Sequence, residues 1–357
     1  MGNNVKIKRI GVLTSGGDAP GMNAALRAVI RTSHKHGIEV VGILNGYAGL
    51  LEGNTRVLSK RDGSYIINRG GTILYTARSE KFKTAEGVHQ AAEMCRKLEL
   101  DGLVVLGGDG TFKGAYDLSK EGIHCVAVPC TIDNDVCCTD KTIGFDTAMN
   151  TVVELADKIR DTGESHSRCI IIEVMGRKAG DIALHTAVAI GATCAVVPEY
   201  PFDKDALVEK ILDSRAGGKK NFLIVVAEGL GKDYGIELAK YIEEKTNIES
   251  RFSCFGYTQR GGSPCLNDRV LASTMGCAAV YALLDGCVAD VVVSKGSSIE
   301  TVEMKYAIQL DRLSKGKMSE AEKAEIAPGT LYEMSKTIAD RMAYKSYLKG
   351  VIEKLSL

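Results

Sequence analysis

A chain of 357 residues is too long for one small core, and two domains are expected. Hydrophobic residues make up 45% and charged residues 25%, which excludes a disordered or low-complexity chain. Lysine plus arginine and aspartate plus glutamate balance at 45 each, so no overall basic field argues for nucleic acid, and anion binding must come from local clusters.

The N-terminal stretch lacks the apolar core and cleavage site of a signal peptide, and no run approaches the ~18 apolar residues that cross a bilayer. Eleven cysteines and six histidines show no Cys-x-x-Cys pair and no zinc spacing. Thiols inside apolar runs read as small core residues of a cytoplasmic protein. Adjacent Cys137 and Cys138 receive no functional reading.

In chain order, short β-branched runs alternate with helical patterns. "RIGVLTS" precedes "PGMNAALRAVIRTSHKHG"; "GIEVVGI", "DGLVVLGG", "TFKGAYDLSKEG" and "HCVAVP" follow. A second series opens with "FDTAMNTVVELADKIRD", where Met149, Val152, Val153, Ala156 and Ile159 recur at helical spacing. "RCIIIEVMG", "GDIALHTAVAIG", "CAVVPE", a helix near Lys204–Arg215, "NFLIVVAEG" and a helix near Gly235–Thr246 repeat the alternation. "RFSCFGYT" and "CVADVVVS" read as strands separated by the helical "PCLNDRVLASTMGCAAVYALLDG", so the chain is expected to return to the first domain. The tail from Ser319 reads as helices packed on the outside.

This order predicts an α/β protein of two Rossmann-like three-layer domains, with mainly parallel sheets and a cleft between them. Residues 1–144 plus about 257–310 form one, and about 145–256 plus the C-terminal helices the other.

Two predicted strand ends share a glycine-rich device. "VLTSGGDAPGMNAA" holds Gly17 and Asp18; "VVLGGDGTFKGA" holds Gly107, Gly108, Asp109, Gly110 and Thr111. Glycine lets the backbone approach a phosphate, and the following helix N-terminus offers free N–H groups. An aspartate there opposes that field unless it meets a cation, which makes Asp109 a natural magnesium partner. A simple helix cap would use the same residues. Neither loop is Gly-x-Gly-x-x-Gly or Gly-x4-Gly-Lys-Ser/Thr, so dinucleotide oxidoreductases and P-loop enzymes lose ground.

"VPCTIDNDVCCTDKTIGFDTA" gathers Asp133, Asp135 and Asp140 beyond a third strand, with Thr131 adding a hydroxyl. One carboxylate can take a proton from an attacking alcohol while another helps with metal, a division suited to phosphoryl transfer. An Asx-rich turn is the plainer account. Arg78, Arg168, Arg177, Arg251 and Arg260, with Glu228 and Tyr257, lie beside strand ends or glycines, where a guanidinium suits a phosphate.

"IGVLTSGGDAPGMNAA", "INRGGT", "GGDGT", "TIDND", "TIGFDTA", "EVMGR", "VVPE" and "QRGGSP" occur in the order and spacing of the phosphofructokinase family, bacterial type, which the chain resembles to about residue 310. The resemblance implies a magnesium-dependent glycolytic kinase that moves the γ-phosphoryl group of ATP to the 1-hydroxyl of fructose 6-phosphate. Asp133 would be the base and Asp109 the organiser of magnesium. Gly17, Arg78, Ser79, Gly108, Asp109, Gly110 and Thr111 would hold ATP, with Arg78 also offsetting transition-state charge. Thr131, Met175, Gly176, Arg177 and Glu228 would line the sugar site. Arg168 and Arg251 would reach the sugar phosphate across a subunit interface, Arg260 joining them from the subunit that carries the base. A homo-oligomer, usually a tetramer, follows.

Three positions depart from the family's pattern. Cys130 stands where ATP users have Gly and pyrophosphate users Lys, and is expected on the donor wall. Tyr257 stands where bacterial members commonly have His. The effector set of Arg27, Arg31, Arg160, Lys219 and Lys220 is left incomplete by Thr193 and Gly217. Pyrophosphate users carry Asp at position 110, where it would repel a nucleotide's α-phosphate, so Gly110 favours ATP. A non-catalytic, sugar-phosphate-sensing relative should lack the base or the metal aspartate, and both are present. Other sugar phosphates, such as sedoheptulose 7-phosphate, stay open as acceptors.

Overall fold

The computed structural model describes residues 7–356. In chain order come β1 (Arg9–Thr14), α1 (Met22–Lys35), β2 (Glu39–Ile43), α2 (Gly46–Glu52), β3 (Thr55–Leu58), α3 (Ala85–Lys97), β4 (Gly102–Gly107), α4 (Asp109–Lys120) and β5 (Cys125–Pro129). Next are α5 (Phe145–Ser165), β6 (Cys169–Val174), α6 (Asp181–Ala189), β7 (Cys194–Val196), α7 (Lys204–Ala216), β8 (Phe222–Ala227), α8 (Tyr234–Thr246) and β9 (Ser250–Cys254). The rest comprises α9 (Leu266–Leu284), β10 (Ala289–Lys295), β11 (Ser298–Glu303), α10 (Met304–Ser314), α11 (Glu320–Ala324) and α12 (Pro328–Leu355).

The chain divides into two compact units. The first takes the described residues up to Ile132, then Val136–Thr147 and Arg260–Met334; the second takes Asp133–Asp135, Ala148–Gln259 and the described residues from Ser335.

The first unit holds a sheet in the order β11-β10-β5-β4-β1-β2-β3. Its interior pairs are parallel, with Ile10 of β1 set between Val40 and Gly102. β4 and β5 are buried along their whole length, which explains their unbroken apolar sequence. Only the two edges run antiparallel, β3 against β2 and β11 against β10. Both edges are largely exposed and carry charges (Arg56, Glu300, Glu303), so no apolar run announced them.

The second unit holds the parallel sheet β7-β8-β6-β9. Its core packs Ile171, Phe222, Ile224 and Val226 against Leu207, Ile211, Leu238 and Ile242 from α7 and α8. β9 stops at Cys254, and Gly256–Gln259 form one 3-10 turn, so the expected strand through Tyr257 is shorter than its sequence suggests.

The tail is helical, as its sequence suggests. α12 is one helix of 28 residues that opens on Pro328, a residue preorganised for the first helical position. Most of it is exposed, as expected of a helix packed on the outside, while Met334, Leu348, Ile352 and also Lys345 are buried.

Candidate active site

The glycine loops fall at the C-terminal ends of β1 and β4, where open α/β sheets bind ligands. A side chain at Gly107 would press within 2.4 Å of the Ser15 carbonyl, so only glycine lets the two loops approach. Thr111 Oγ1 donates to that same carbonyl at 3.3 Å, and Thr76 Oγ1 donates to Gly16 at 2.8 Å. The segment bearing Arg78 and Ser79 is thus tied to the loop bearing Gly17. Arg78 is exposed, while Ser79 Oγ accepts the Phe82 N–H at 3.2 Å.

Gly108 caps α4, and its carbonyl accepts the N–H groups of Thr111 and Phe112. Asp109 opens the helix and accepts the Gly110 N–H at 2.8 Å. Its carboxylate faces Lys315 at 3.3 Å, and Lys315 meets Asp311 at 2.7 Å. A Cβ added at Gly110 would meet nothing within 4 Å, so the protein's own packing does not require glycine there. Thr131 lies beside Gly108, fixed by its N–H to Ile143 and its carbonyl to Thr142.

Among the described residues no group of three or more His, Cys, Asp or Glu could hold a metal alone. Magnesium is usually bound by one or two carboxylates together with substrate phosphates and water. The Asp109 carboxylate, with 28% of its side chain exposed beside open space at Gly110, fits that mode.

Two sequence expectations, for Cys130 and Asp140, need correction in this unit. Cys130 is 1% exposed, its N–H bonded to the Gly107 carbonyl, and burial drives its thiol far above the ordinary range. With so little surface it is an interior thiol rather than a donor wall. Asp140 has a structural role: it accepts the Gly296 N–H at 2.7 Å and fastens the β10–β11 hairpin. Arg260 belongs to this unit, against Gly17, and donates to the Asp18 carbonyl at 3.3 Å. Arg168 and Arg251 belong to the other unit.

A missed residue organises the start of α5. Asp268 accepts the N–H groups of Gly144 and Thr147 and the Thr147 hydroxyl, at 2.8, 2.7 and 2.5 Å. Burial raises its carboxyl pKa against those hydrogen bonds. An acid in the first turn of α9 was its only local signal.

The second unit supplies Asp133 and its surroundings. Asp133 is 1% exposed, and its Oδ2 lies 3.2 Å from Arg177 Nε. Arg177 also reaches Asp135 at 4.0 Å. Two left-handed residues, Gly176 at φ +139° and Arg177 at φ +53°, turn the chain sharply after β6. Glu228, just past β8, holds that turn by accepting both N–H groups, at 3.3 and 2.7 Å. Met175 is tied by its N–H to buried Gln259, a partner not foreseen.

Arg168 and Arg251 share the Glu249 carboxylate, Arg168 at 2.8 Å, and that hydrogen bond to Arg168 lowers the Glu249 pKa. Tyr257 is 85% exposed. Glu228 also lines a cavity of about 230 Å3 with Glu173, Lys232, Asp233 and Phe252. Of the residues read as an incomplete effector set, Thr193 is buried, its carbonyl accepting from Lys210 at 3.2 Å. Lys219 reaches the Ser356 carbonyl at 3.3 Å.

Residues 9–283 match the family model Phosphofructokinase. ATP-dependent 6-phosphofructokinase 1 of Clostridium perfringens is 52% identical over 306 residues, 86% of this chain and 95% of that protein. The ATP-dependent 6-phosphofructokinase of Bacillus subtilis is 54% identical over 280 residues, 78% of this chain and 87% of that one. The solved phosphofructokinase of Saccharomyces cerevisiae aligns with a TM-score of 0.82 at 32% identity, over 94% of this chain. This chain spans 51% of that larger one. With its sequence and its fold both matched over most of their length, the chain belongs to the phosphofructokinase family.

Proposed function

We propose that the protein is an ATP-dependent 6-phosphofructokinase, converting fructose 6-phosphate and ATP to fructose 1,6-bisphosphate and ADP. The observation that carries this reading is the buried Asp133 carboxylate, faced by Arg177 on a turn that Glu228 holds rigid. A nearby cation keeps a carboxylate ionised and ready to accept a proton. The 1-hydroxyl oxygen of the sugar attacks the γ-phosphorus, its proton passes to Asp133, and the bond to the β-phosphate breaks to release ADP.

Gly17, Gly108, Gly110 and Thr111 cradle the donor, while Arg78 and Ser79 approach its phosphates. Thr131 orients the reacting oxygens. Asp109 would hold magnesium, which would supply charge neutralisation on the donor phosphates. To hold the ion, Asp109 would have to give up its 3.3 Å contact with Lys315.

Met175, Gly176 and Glu228 hold the sugar. Arg168 and Arg251 serve the sugar phosphate of a neighbouring subunit in a homo-oligomer, a tetramer by family resemblance, and Tyr257 and Arg260 approach the phosphate bound in their own. Eleven cysteines without a disulfide suit the cytoplasm, and no described helix is long and apolar enough to cross a membrane.

Supplying fructose 6-phosphate and magnesium with ATP or pyrophosphate in parallel tests the reading. Fructose 1,6-bisphosphate formed with ATP supports it, and turnover with pyrophosphate alone would reverse the assignment of donor.

A further inference from the structure

α12 begins well beyond residue 283, where the family match ends, yet it reaches the loop that carries Asp133. Arg341 Nη2 donates to the Asn134 backbone carbonyl at 2.7 Å. Asn134 separates Asp133 from Asp135, is buried, and adopts a left-handed φ of +49°. One helical turn later Lys345, also buried, meets Asp181 at 2.5 Å and Glu199 at 2.7 Å. Burial alone would depress its ammonium pKa, but the two carboxylates outweigh it and hold the value above the ordinary one.

Those carboxylates lead back to the same chemistry. Glu199 accepts the Gly180 N–H at 2.8 Å, and Asp181 opens α6. Arg341 also reaches Asp181, at 4.0 Å. Residues four apart share one helix face. That face therefore holds the Asp133–Asp135 loop through Arg341 and the end of the Gly176–Asp181 turn through Lys345. The first of these segments carries Asp133, the second Arg177.

We propose that α12 is a strap that sets the Asp133–Arg177 pair, with Arg341 as its positioning residue. Building on the assignment of Asp133 as base, Arg341 fixes the Asn134 carbonyl so that the neighbouring carboxylate keeps its aim. It touches no substrate. A base misplaced by about 1 Å can lose as much as a hundredfold in rate, so a partly released loop should cost about tenfold.

The test compares the full-length protein with Arg341→Met and Arg341→Lys. We expect Arg341→Met to lower kcat about tenfold, with the KM for ATP and the calorimetric affinity for fructose 6-phosphate changed less than about twofold. Amide hydrogen exchange across residues 131–135 should rise, and Arg341→Lys should recover most of both effects. If Arg341→Met does not fold, Arg341→Gln, whose amide ends two bonds short of the guanidinium Nη2 and so cannot reach the Asn134 carbonyl, takes its place with the same expectation.

Unchanged kcat with unchanged loop exchange overturns the proposal. So does a lower melting temperature with normal turnover per folded molecule. An inactive wild-type protein would defeat the kinase assignment instead, and the exchange measurement would still decide whether Arg341 holds the loop.

Discussion

Asp109 and Asp133 each lie shortly after the end of a parallel strand, β4 and β5, but their surroundings differ in kind. Asp109 heads a helix with 28% of its side chain exposed, beside open space at Gly110, and its cation is a lysine on a separate element. Asp133 is enclosed, and its cation sits on a turn locked by Glu228 and, through Gly180, by Glu199. An accessible carboxylate whose partner can leave suits an ion that comes and goes with the donor. An enclosed one with a fixed partner suits a proton acceptor that must hold its direction.

The sharpest way to break this contrast is to remove the fixed partner. Arg177→Leu should lower kcat by about 10²–10³, the usual cost of losing one charge-stabilising donor at a reacting centre. If turnover stays within twofold, the guanidinium does not matter to Asp133. Asp109→Asn should cost about a hundredfold at ordinary magnesium, with part of the loss restored by raising the metal concentration. A loss indifferent to magnesium would remove Asp109 from the metal's path.

Gly110→Asp sharpens the donor side. Because the new side chain meets open space, the melting temperature should hold, while the KM for ATP rises at least about tenfold through repulsion of the phosphates. Unchanged affinity for ATP would show that position 110 does not face the nucleotide.

Stability provides smaller effects. Asp268→Asn leaves one of three donors facing an amide N–H, at a cost of about 1–3 kcal/mol and a few degrees of melting temperature. An equal melting temperature would show that α5 is capped by other means.

The smallest signal comes from Lys345, whose pKa is raised above its ordinary 10.5 in the folded protein. Stability from a raised pKa is complete below the unfolded value and fades as pH climbs through the folded one. The melting-temperature gap between wild type and Lys345→Met should therefore be flat from about pH 7, where Asp181 and Glu199 are ionised, to about pH 10, and narrow above the ordinary lysine value. A gap that closes near neutrality would contradict the paired arrangement around Lys345.

The interior of each sheet was legible because strands buried on both faces must be continuously apolar, as "GLVVLG" and "FLIVVA" are. The edges β3 and β11 were not, since half-exposed strands need no such run. The glycine loops were legible as turns at strand ends, because a close approach such as Gly107 to the Ser15 carbonyl admits no side chain. Proximity in sequence misled at Asp140, seven residues from Asp133 but committed to a hairpin.

Asp268, Gln259, Glu249, Lys315 and Arg341 went unread for one reason. Each acts on a partner about 80 to 200 residues away, and no local pattern records such a meeting.

The most direct test of the account is Asp133→Asn, with fructose 6-phosphate binding followed by calorimetry and product formation by turnover with ATP. Affinity should stay within about threefold of wild type while kcat falls by about 10²–10⁴, the range for losing a general base. Full turnover with normal binding would contradict the account, because the proton of the sugar alcohol would then have gone elsewhere.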